Sequence, residues 1–375
     1  GILIEKDAYG NKKTTAETEL GRAAWIGQIK YNYANKYYAE ASIRYDGSDR
    51  FAKGNRWGAF FSGSLGWVVT EENFMKSLVE KDILNSLKLR LSYGQTGLDE
   101  SAGRYAYMTT YNYNAQSYLV DGSFKPGFTE GPLASPDLTW YTTKQFDMGF
   151  DFASLQNRLY GSFDYFYYST TGYLTAPTGQ SYLNVALGTG MPKIKSNSEL
   201  RRAGYEVQLG WRDNIGDFKY DVSGNFTFFD ELWALDEGES EVTRMNPYKR
   251  KQQNKGYFIY NDDLYYLYKN LGYYQSAEDV YNSPAFVNSM NSGYLTAGDI
   301  KYADLNGDGR ITDEDQRRLG KAKKPRAQYG INLNMSYKGV YLSMLFQGST
   351  AFDMYISDGL AMKTGQTSTM PLAYD

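Results

Sequence analysis

The chain has 375 residues, enough for one large β domain or two of ordinary size. It contains no Cys and no His, which excludes a disulfide framework, thiolate zinc sites, Ser-His-Asp catalysis and His-liganded metals. Net charge is −3 with a pI of about 5.4, and no basic stripe suited to phosphates stands out, so nucleic acid is not an expected partner. The 37 Tyr, 19 Phe, 6 Trp and 38 Gly instead suit pleated, half-exposed strands joined by tight turns. No apolar run approaches the ~18 residues of a transmembrane helix. Mean hydropathy is −0.58, a value compatible with a membrane barrel, whose lumen face and loops are polar.

Period-two alternation organises the chain. Trp25, Gly27, Ile29, Tyr31 and Tyr33 form one face of a first strand, opposed by Ile26, Gln28, Lys30 and Asn32. Tyr37, Ala39, Ala41, Ile43 and Tyr45 follow, opposed by Tyr38, Glu40, Ser42, Arg44 and Asp46. Next come Ala59 to Val69 and then Leu87, Leu89, Leu91 and Tyr93 against Lys88, Arg90 and Ser92. Phe146, Met148, Phe150 and Phe152 oppose Gln145, Asp147 and Asp151, and Leu159, Phe163, Tyr165 and Tyr167 continue the series. Tyr205, Val207, Leu209 and Trp211 oppose Glu206, Gln208 and Arg212. Phe218 to Phe228, Tyr329 to Tyr337 and Val340 to Phe346 complete about ten strands, roughly over residues 22–350.

Each strand runs for about ten to thirteen residues, against a usual five or six in soluble proteins. Twelve residues at ~3.3 Å each, tilted by about 45°, cover close to the ~30 Å hydrocarbon core. Connections alternate in length. Those near Ala34–Lys36, Ser154–Asn157, Asn214–Gly216 and Gly339 are tight, and the Thr70–Asn85 link has room for a helical turn. The other side has Asp46–Arg56, Thr96–Thr142, Ser169–Leu200 and Asp230–Arg326. Short turns on one side and long loops on the other is the outer-membrane arrangement, the long loops being extracellular. The expected fold is therefore all-β: a transmembrane antiparallel β-barrel, in part, with long extracellular loops. Lumen-facing candidates are Arg44, Lys88, Arg90, Asp147 and Glu206, polar as any lumen requires.

Within the 230–326 connection, residues 304–315 read Asp-Leu-Asn-Gly-Asp-Gly-Arg-Ile-Thr-Asp-Glu-Asp, the pattern of a twelve-residue calcium loop. Asp304, Asn306 and Asp308 fall at positions one, three and five, and Gly309 at the sharp turn. Arg310 would supply its backbone carbonyl, Thr312 its hydroxyl and Asp315 the closing carboxylate, in place of the usual Glu. The expected ion is Ca2+, or Mg2+, in a structural role, because a connection of this length needs local staples. The same connection carries Tyr257, Tyr260, Tyr265, Tyr266, Tyr268, Tyr273 and Tyr274, which could stack on sugars, line a protein interface or form the loop's own small core.

Several stretches resemble the SusC/RagA family of TonB-dependent transporters of Bacteroidetes. They are Tyr45-Asp46-Gly47-Ser48-Asp49-Arg50-Phe51, Asn55-Arg56-Trp57-Gly58, Ser64-Leu65-Gly66-Trp67, Leu87 to Gly97, Gly298 to Gly309 and Gly330 to Gln347. The resemblance implies a 22-stranded barrel with an N-terminal plug, energised by the TonB complex and capped by a SusD-like lipoprotein. It implies import of oligosaccharides or peptides through the bacterial outer membrane, without enzymatic activity. Residues 1–375 would be the barrel portion; no plug, TonB box or final strands are legible in them. The alternative is a soluble or surface-anchored, calcium-stabilised β protein that binds glycans.

Overall fold

The computed structural model describes residues 2–6, 12–16, 21–100, 102–175, 194–239, 245–247, 266–287, 295–318 and 325–352. Ten long strands make one sheet: β1 (Arg22–Tyr33), β2 (Tyr37–Ser48), β3 (Trp57–Val68), β4 (Leu84–Leu98), β5 (Tyr141–Ser154), β6 (Leu159–Thr171), β7 (Glu199–Ile215), β8 (Phe218–Leu235), β9 (Ala327–Tyr337) and β10 (Val340–Thr350). Their order in the sheet is their order in the chain, so the sheet is a meander with β1 and β10 at its ends. The pairs β1–β2, β7–β8, β8–β9 and β9–β10 are antiparallel.

The tight turns bear out their sequence signals. Ala34 and Asn35 (φ 53° and 54°) join β1 to β2, and Lys338-Gly339 (φ 44° and 87°) join β9 to β10. Positive φ at both central residues of Lys338-Gly339 suits a two-residue hairpin turn, whose twist matches that of the flanking strands, and the Ala34–Lys36 loop is one residue longer. The link from β3 to β4 holds two 3-10 turns and a short helix, Lys76–Glu80. Strands β7 and β8 reach 17 and 18 residues, longer than the alternation of apolar residues suggests. The added length carries Arg201, Arg202, Asp230 and Glu231, so hydrogen-bonded pairing outlasts the apolar belt.

The chain divides into two compact units. The first comprises Gly1–Leu65, Ser92–Gln145 and Thr170–Ser198. Its core lies where the long loops leave the strands: Phe51, Phe60, Ala102, Leu138, Trp140 and Leu174 are all buried. Trp140 packs on Phe51 and edge-on against Phe60, with centroids 5.4 and 5.6 Å apart. Gly97 is required there, because a Cβ would overlap the Phe60 ring.

The second unit comprises Gly66–Leu91, Phe146–Ser169 and Glu199–Asp375. Its register fixes two faces. Leu209, Gly224, Ile331 and Phe346 lie in one row across four strands, and Trp211, Val222, Leu333 and Met344 in another. Leu209 is 52% exposed and Phe346 55%, far from the burial expected of a soluble core. Large apolar side chains exposed in contiguous rows require a nonaqueous neighbour, and strand length matches a bilayer. Leu209→Arg in the full-length protein is expected to destabilise the barrel by about 2–4 kcal/mol, whereas Gln208→Arg on the opposite face leaves it nearly unchanged. Urea unfolding in lipid measures both.

Candidate functional site

The face opposite the apolar rows is polar in register. Gln208, Asn225, Gly330 and Gln347 align across β7 to β10, as do Arg212, Asp221, Asn334 and Ser343. A recess of about 900 Å³ near the tight turns is lined in part by Arg212, Asp221, Asn334 and Ser343. Tyr160 donates its hydroxyl to Asp221 at 2.7 Å, and the Arg212 guanidinium lies 4.1 Å from the Tyr160 ring centroid. Of the lumen candidates, Arg90 is the best connected. It forks onto both oxygens of Asp151 at 2.8 and 3.0 Å and reaches Asp164 at 3.0 Å. Planar, bidentate geometry makes this the stronger kind of ion pair. Asp147 and Lys88 are half-buried and Glu206 is exposed. Arg44 is exposed and pairs weakly with Asp46 at 3.4 Å. Nothing gathers these five into one cluster, so the structure assigns them to a polar lining and singles none out as a ligand contact.

The rim of the first unit is built differently. Asp99, 2% exposed, directly follows β4 and accepts from Arg22 at 2.5 and 3.2 Å and from the Ser48 hydroxyl at 2.6 Å. Arg50 Nη1 donates to the carbonyls of Asp99, Glu100 and Ala102 at 3.4, 3.1 and 2.9 Å. Phe51 fills the core beneath. Trp140 Nε1 donates to the Arg56 carbonyl at 2.9 Å, and Arg56 Nε to that of Phe51 at 3.1 Å. Gly47 leaves room for the Trp57 ring, which stacks on Tyr45 with centroids 4.9 Å apart. The stretches Tyr45–Phe51 and Asn55–Gly58 thus knit two long loops into one ordered rim.

Comparison with known proteins settles the class. The family model "TonB dependent receptor-like, beta-barrel" matches residues 7–343. The chain belongs to this family. It is 28% identical to TonB-dependent receptor P3 of Formosa agariphila over 93% of this chain and 33% of that protein. It is 29% identical to TonB-dependent receptor SusC of Bacteroides thetaiotaomicron over 80% of this chain and 29% of that protein. The chain therefore spans about a third of the length of the curated relatives it matches. Among solved structures, the open-open state of the RagAB peptide importer has the same fold, with a TM-score of 0.69 at 18% identity over 95% of this chain and 35% of that one. The TonB-dependent receptor barrel is an outer-membrane fold, and the apolar rows are its lipid face.

The long connection after β8 forms a small body of its own among the described residues. Strands Tyr266–Tyr268 and Gln316–Arg318 pair, as do Asn270–Tyr273 and Ile300–Tyr302, and Ala285–Phe286 with Arg310–Ile311. Tyr268, Phe286 and Tyr302 pack as a triangle with centroids 5.2 to 5.7 Å apart. Tyr274 is buried and Tyr273 exposed. So Tyr268 and Tyr274 serve the loop's own core, while Tyr257, Tyr260, Tyr265 and the Tyr266 side chain lie outside the described residues.

The predicted cation loop closes this body. Asp304 accepts from the Gly307 and Gly309 N–H groups at 2.6 and 2.8 Å, Asn306 from Asp308 at 3.0 Å and Asp308 from Arg310 at 2.8 Å. Asp315 is fully buried and accepts from Leu305, Asn306 and Thr312, and Thr312 caps the turn that follows. Gly307 and Gly309 take φ of 76° and 80°, as the sharp bend requires. Asp315 thereby ties the end of the loop to its beginning. The side-chain oxygens bind the loop's own N–H groups and keep further lone pairs. Among the described residues no three acidic side chains gather as a metal-holding group.

Beside the loop, Lys301 donates to Asp279 at 2.7 Å. That bond, with an N–H bond from Gln275, holds the Asp279 carboxyl below its ordinary range. A carboxylate with a lowered folded-state value contributes stability above its unfolded value, which is lost as pH falls through the folded one. The pair is half-buried at the surface and still screened by solvent, so its share is small. Lys301→Met is expected to flatten the acid limb of loop-body stability, read by hydrogen exchange below pH 4. Removing the carboxylate at the rim should matter more: Asp99→Ala strips two arginines and Ser48 of a buried acceptor, at a cost of about 1–3 kcal/mol in denaturant unfolding.

Proposed function

We propose that the full-length protein is a TonB-dependent importer of the SusC/RagA type, taking oligosaccharides or peptides across the outer membrane with a SusD-like surface lipoprotein. The observation that carries this reading is the registered polar face backed by exposed apolar rows. Such a sheet lines an aqueous passage on one side and meets outer-membrane lipid on the other. The likeness to TonB-dependent receptor SusC supports the TonB dependence and that to the RagAB peptide importer the peptide class; the oligosaccharide class is carried by the family resemblance of the sequence. The reading assigns no catalysis: the chain has no His, and two of the carboxylates on the polar face, Asp151 and Asp164, are held by Arg90. The soluble glycan-binding alternative does not account for the exposed rows. Deleting the gene should abolish growth on one oligosaccharide or peptide source, and removing TonB should abolish it equally. Uptake that persists without TonB overturns the reading.

The loop 304–315 is proposed to bind Ca2+, or Mg2+, through Asp304, Asn306, Asp308, the Arg310 carbonyl, Thr312 and Asp315. Donor type, spacing and the closure by Asp315 support it. The ion would staple the loop body and leave the passage untouched. Melting of the full-length protein should rise in Ca2+ relative to chelator, and the rise should vanish in Asp304→Ala/Asp308→Ala. Equal melting of the parent protein in both conditions overturns the proposal.

A further inference from the structure

Asn306-Gly307 is the only Asn-Gly pair in the sequence. It lies inside the loop 304–315, and both residues are exposed to water. An asparagine amide carbon and the backbone nitrogen that follows it belong to the same short stretch of chain. Attack of that nitrogen on that carbon is therefore intramolecular and has the advantage of proximity. The side chain of the following residue usually crowds the nitrogen, and Gly307 has none. Gly307 is also held in the left-handed region, with φ of 76°, which disfavours any residue bearing a Cβ there. Asn35, Asn157 and Asn214 are exposed at tight turns too, but they are followed by Lys36, Arg158 and Ile215.

Hydrogen bonds arrange the pair for this attack. The Gly307 N–H donates to Asp304 Oδ1 at 2.6 Å, so a carboxylate polarises the attacking nitrogen. Asn306 Oδ1 accepts from the Asp308 N–H at 3.0 Å, a donor aimed at the oxygen that gains charge as the amide carbon becomes tetrahedral. Asn306 Nδ2, the leaving nitrogen, donates to Glu314 Oε2 at 3.4 Å.

We propose that Asn306 is a self-deamidating site, held in check while the loop is filled by its cation; the second half rests on the cation reading above. The Gly307 nitrogen bonds to Asn306 Cγ, the Cγ–Nδ2 bond breaks and a succinimide ring closes. The proton released by the Gly307 nitrogen passes by way of Asp304 and water to Nδ2, which departs as ammonia. Water then opens the ring. Opening at the side-chain carbonyl leaves aspartate, and opening at the main-chain carbonyl leaves isoaspartate.

The two products differ in consequence. Aspartate keeps the chain length and puts a carboxylate at the third loop position, where one is usual. Isoaspartate adds a methylene to the main chain between the Asn306 Cα and Gly307. That displaces the Gly307 and Gly309 N–H groups from Asp304 and loosens the closure that Asp315 makes on Asn306. In a filled loop Asp304 and Asn306 Oδ1 are both committed as ligands, and turning the amide toward Gly307 gives one of them up. An empty loop thus ages chemically and a filled one is spared.

The test holds the full-length protein in detergent at mildly alkaline pH, in Ca2+ or in chelator. Peptide mapping by mass spectrometry follows the amide-to-acid conversion, and isoaspartyl methyltransferase labelling counts isoaspartate. In chelator, position 306 should convert about tenfold or more faster than positions 35, 157 and 214. Ca2+ should slow it by a similar factor, and Asp304→Asn in chelator should slow it too. Asn306→Gln, which keeps an amide but needs a larger ring, should release no ammonia from this position. The isoaspartyl fraction should melt alike in Ca2+ and in chelator. Conversion at 306 no faster than at the three control positions overturns the site. Equal conversion with and without Ca2+, in protein whose melting Ca2+ raises, overturns the ion's control while the cation reading stands. If Ca2+ leaves melting of the parent protein unchanged, the cation reading fails and the ion's control with it.

Discussion

Everything in this chain depends on one constraint: a β-sheet whose two faces meet different solvents. Leu209, Gly224, Ile331 and Phe346 share a row, and the row beside it is Gln208, Asn225, Gly330 and Gln347. A slip of one residue in any strand would send its charged and amide side chains into lipid and its Leu and Phe into water. The register is therefore strongly specified by solvation, with no buried sandwich core to enforce it. Meander order follows, since tight turns at Ala34-Asn35 and Lys338-Gly339 leave the next strand nowhere else to pair.

A sheet wet on one side and lipid-bound on the other has little conventional core, so order at the extracellular end has to come from elsewhere. The first unit supplies it with a compact aromatic cluster around Phe51 and Trp140 and a buried carboxylate, Asp99, shared by Arg22, Ser48 and Arg50. Arg50 also donates to three backbone carbonyls, those of Asp99, Glu100 and Ala102. Burying a carboxylate is costly unless its acceptor capacity is filled. Here it is filled by groups from two separate parts of the chain, Arg22 and the Ser48–Arg50 stretch, which couples the loops to one another.

The long loop of the second unit repeats that solution on a smaller scale. Short strand pairs enclose Ile311, Tyr274 and a fully buried Asp315, whose oxygens are held by backbone N–H groups. The hairpin Tyr111–Glu130 is the exception. It has aromatic side chains in abundance, more than half exposed, and nothing among the described residues that covers them.

The amino-acid sequence by itself determined the strands, their faces and the segregation of short turns from long loops. Those features follow from a period of two and from local turn chemistry, both readable from neighbours a few residues apart. It also marked Asp304 to Asp315 as one closed loop, because the spacing is local. The hairpin could have been read from Asp121-Gly122 between Val120 and Ser123, a strong turn signal, but a single Thr96–Thr142 loop hid it. Only the tertiary structure decided that Arg22 meets Asp99, that Trp140 reaches Arg56 and that Arg90 bridges Asp151 and Asp164. Those partners lie 61 to 84 residues apart. No local pattern encodes such pairings; they exist because the sheet's register brings their strands and loops together.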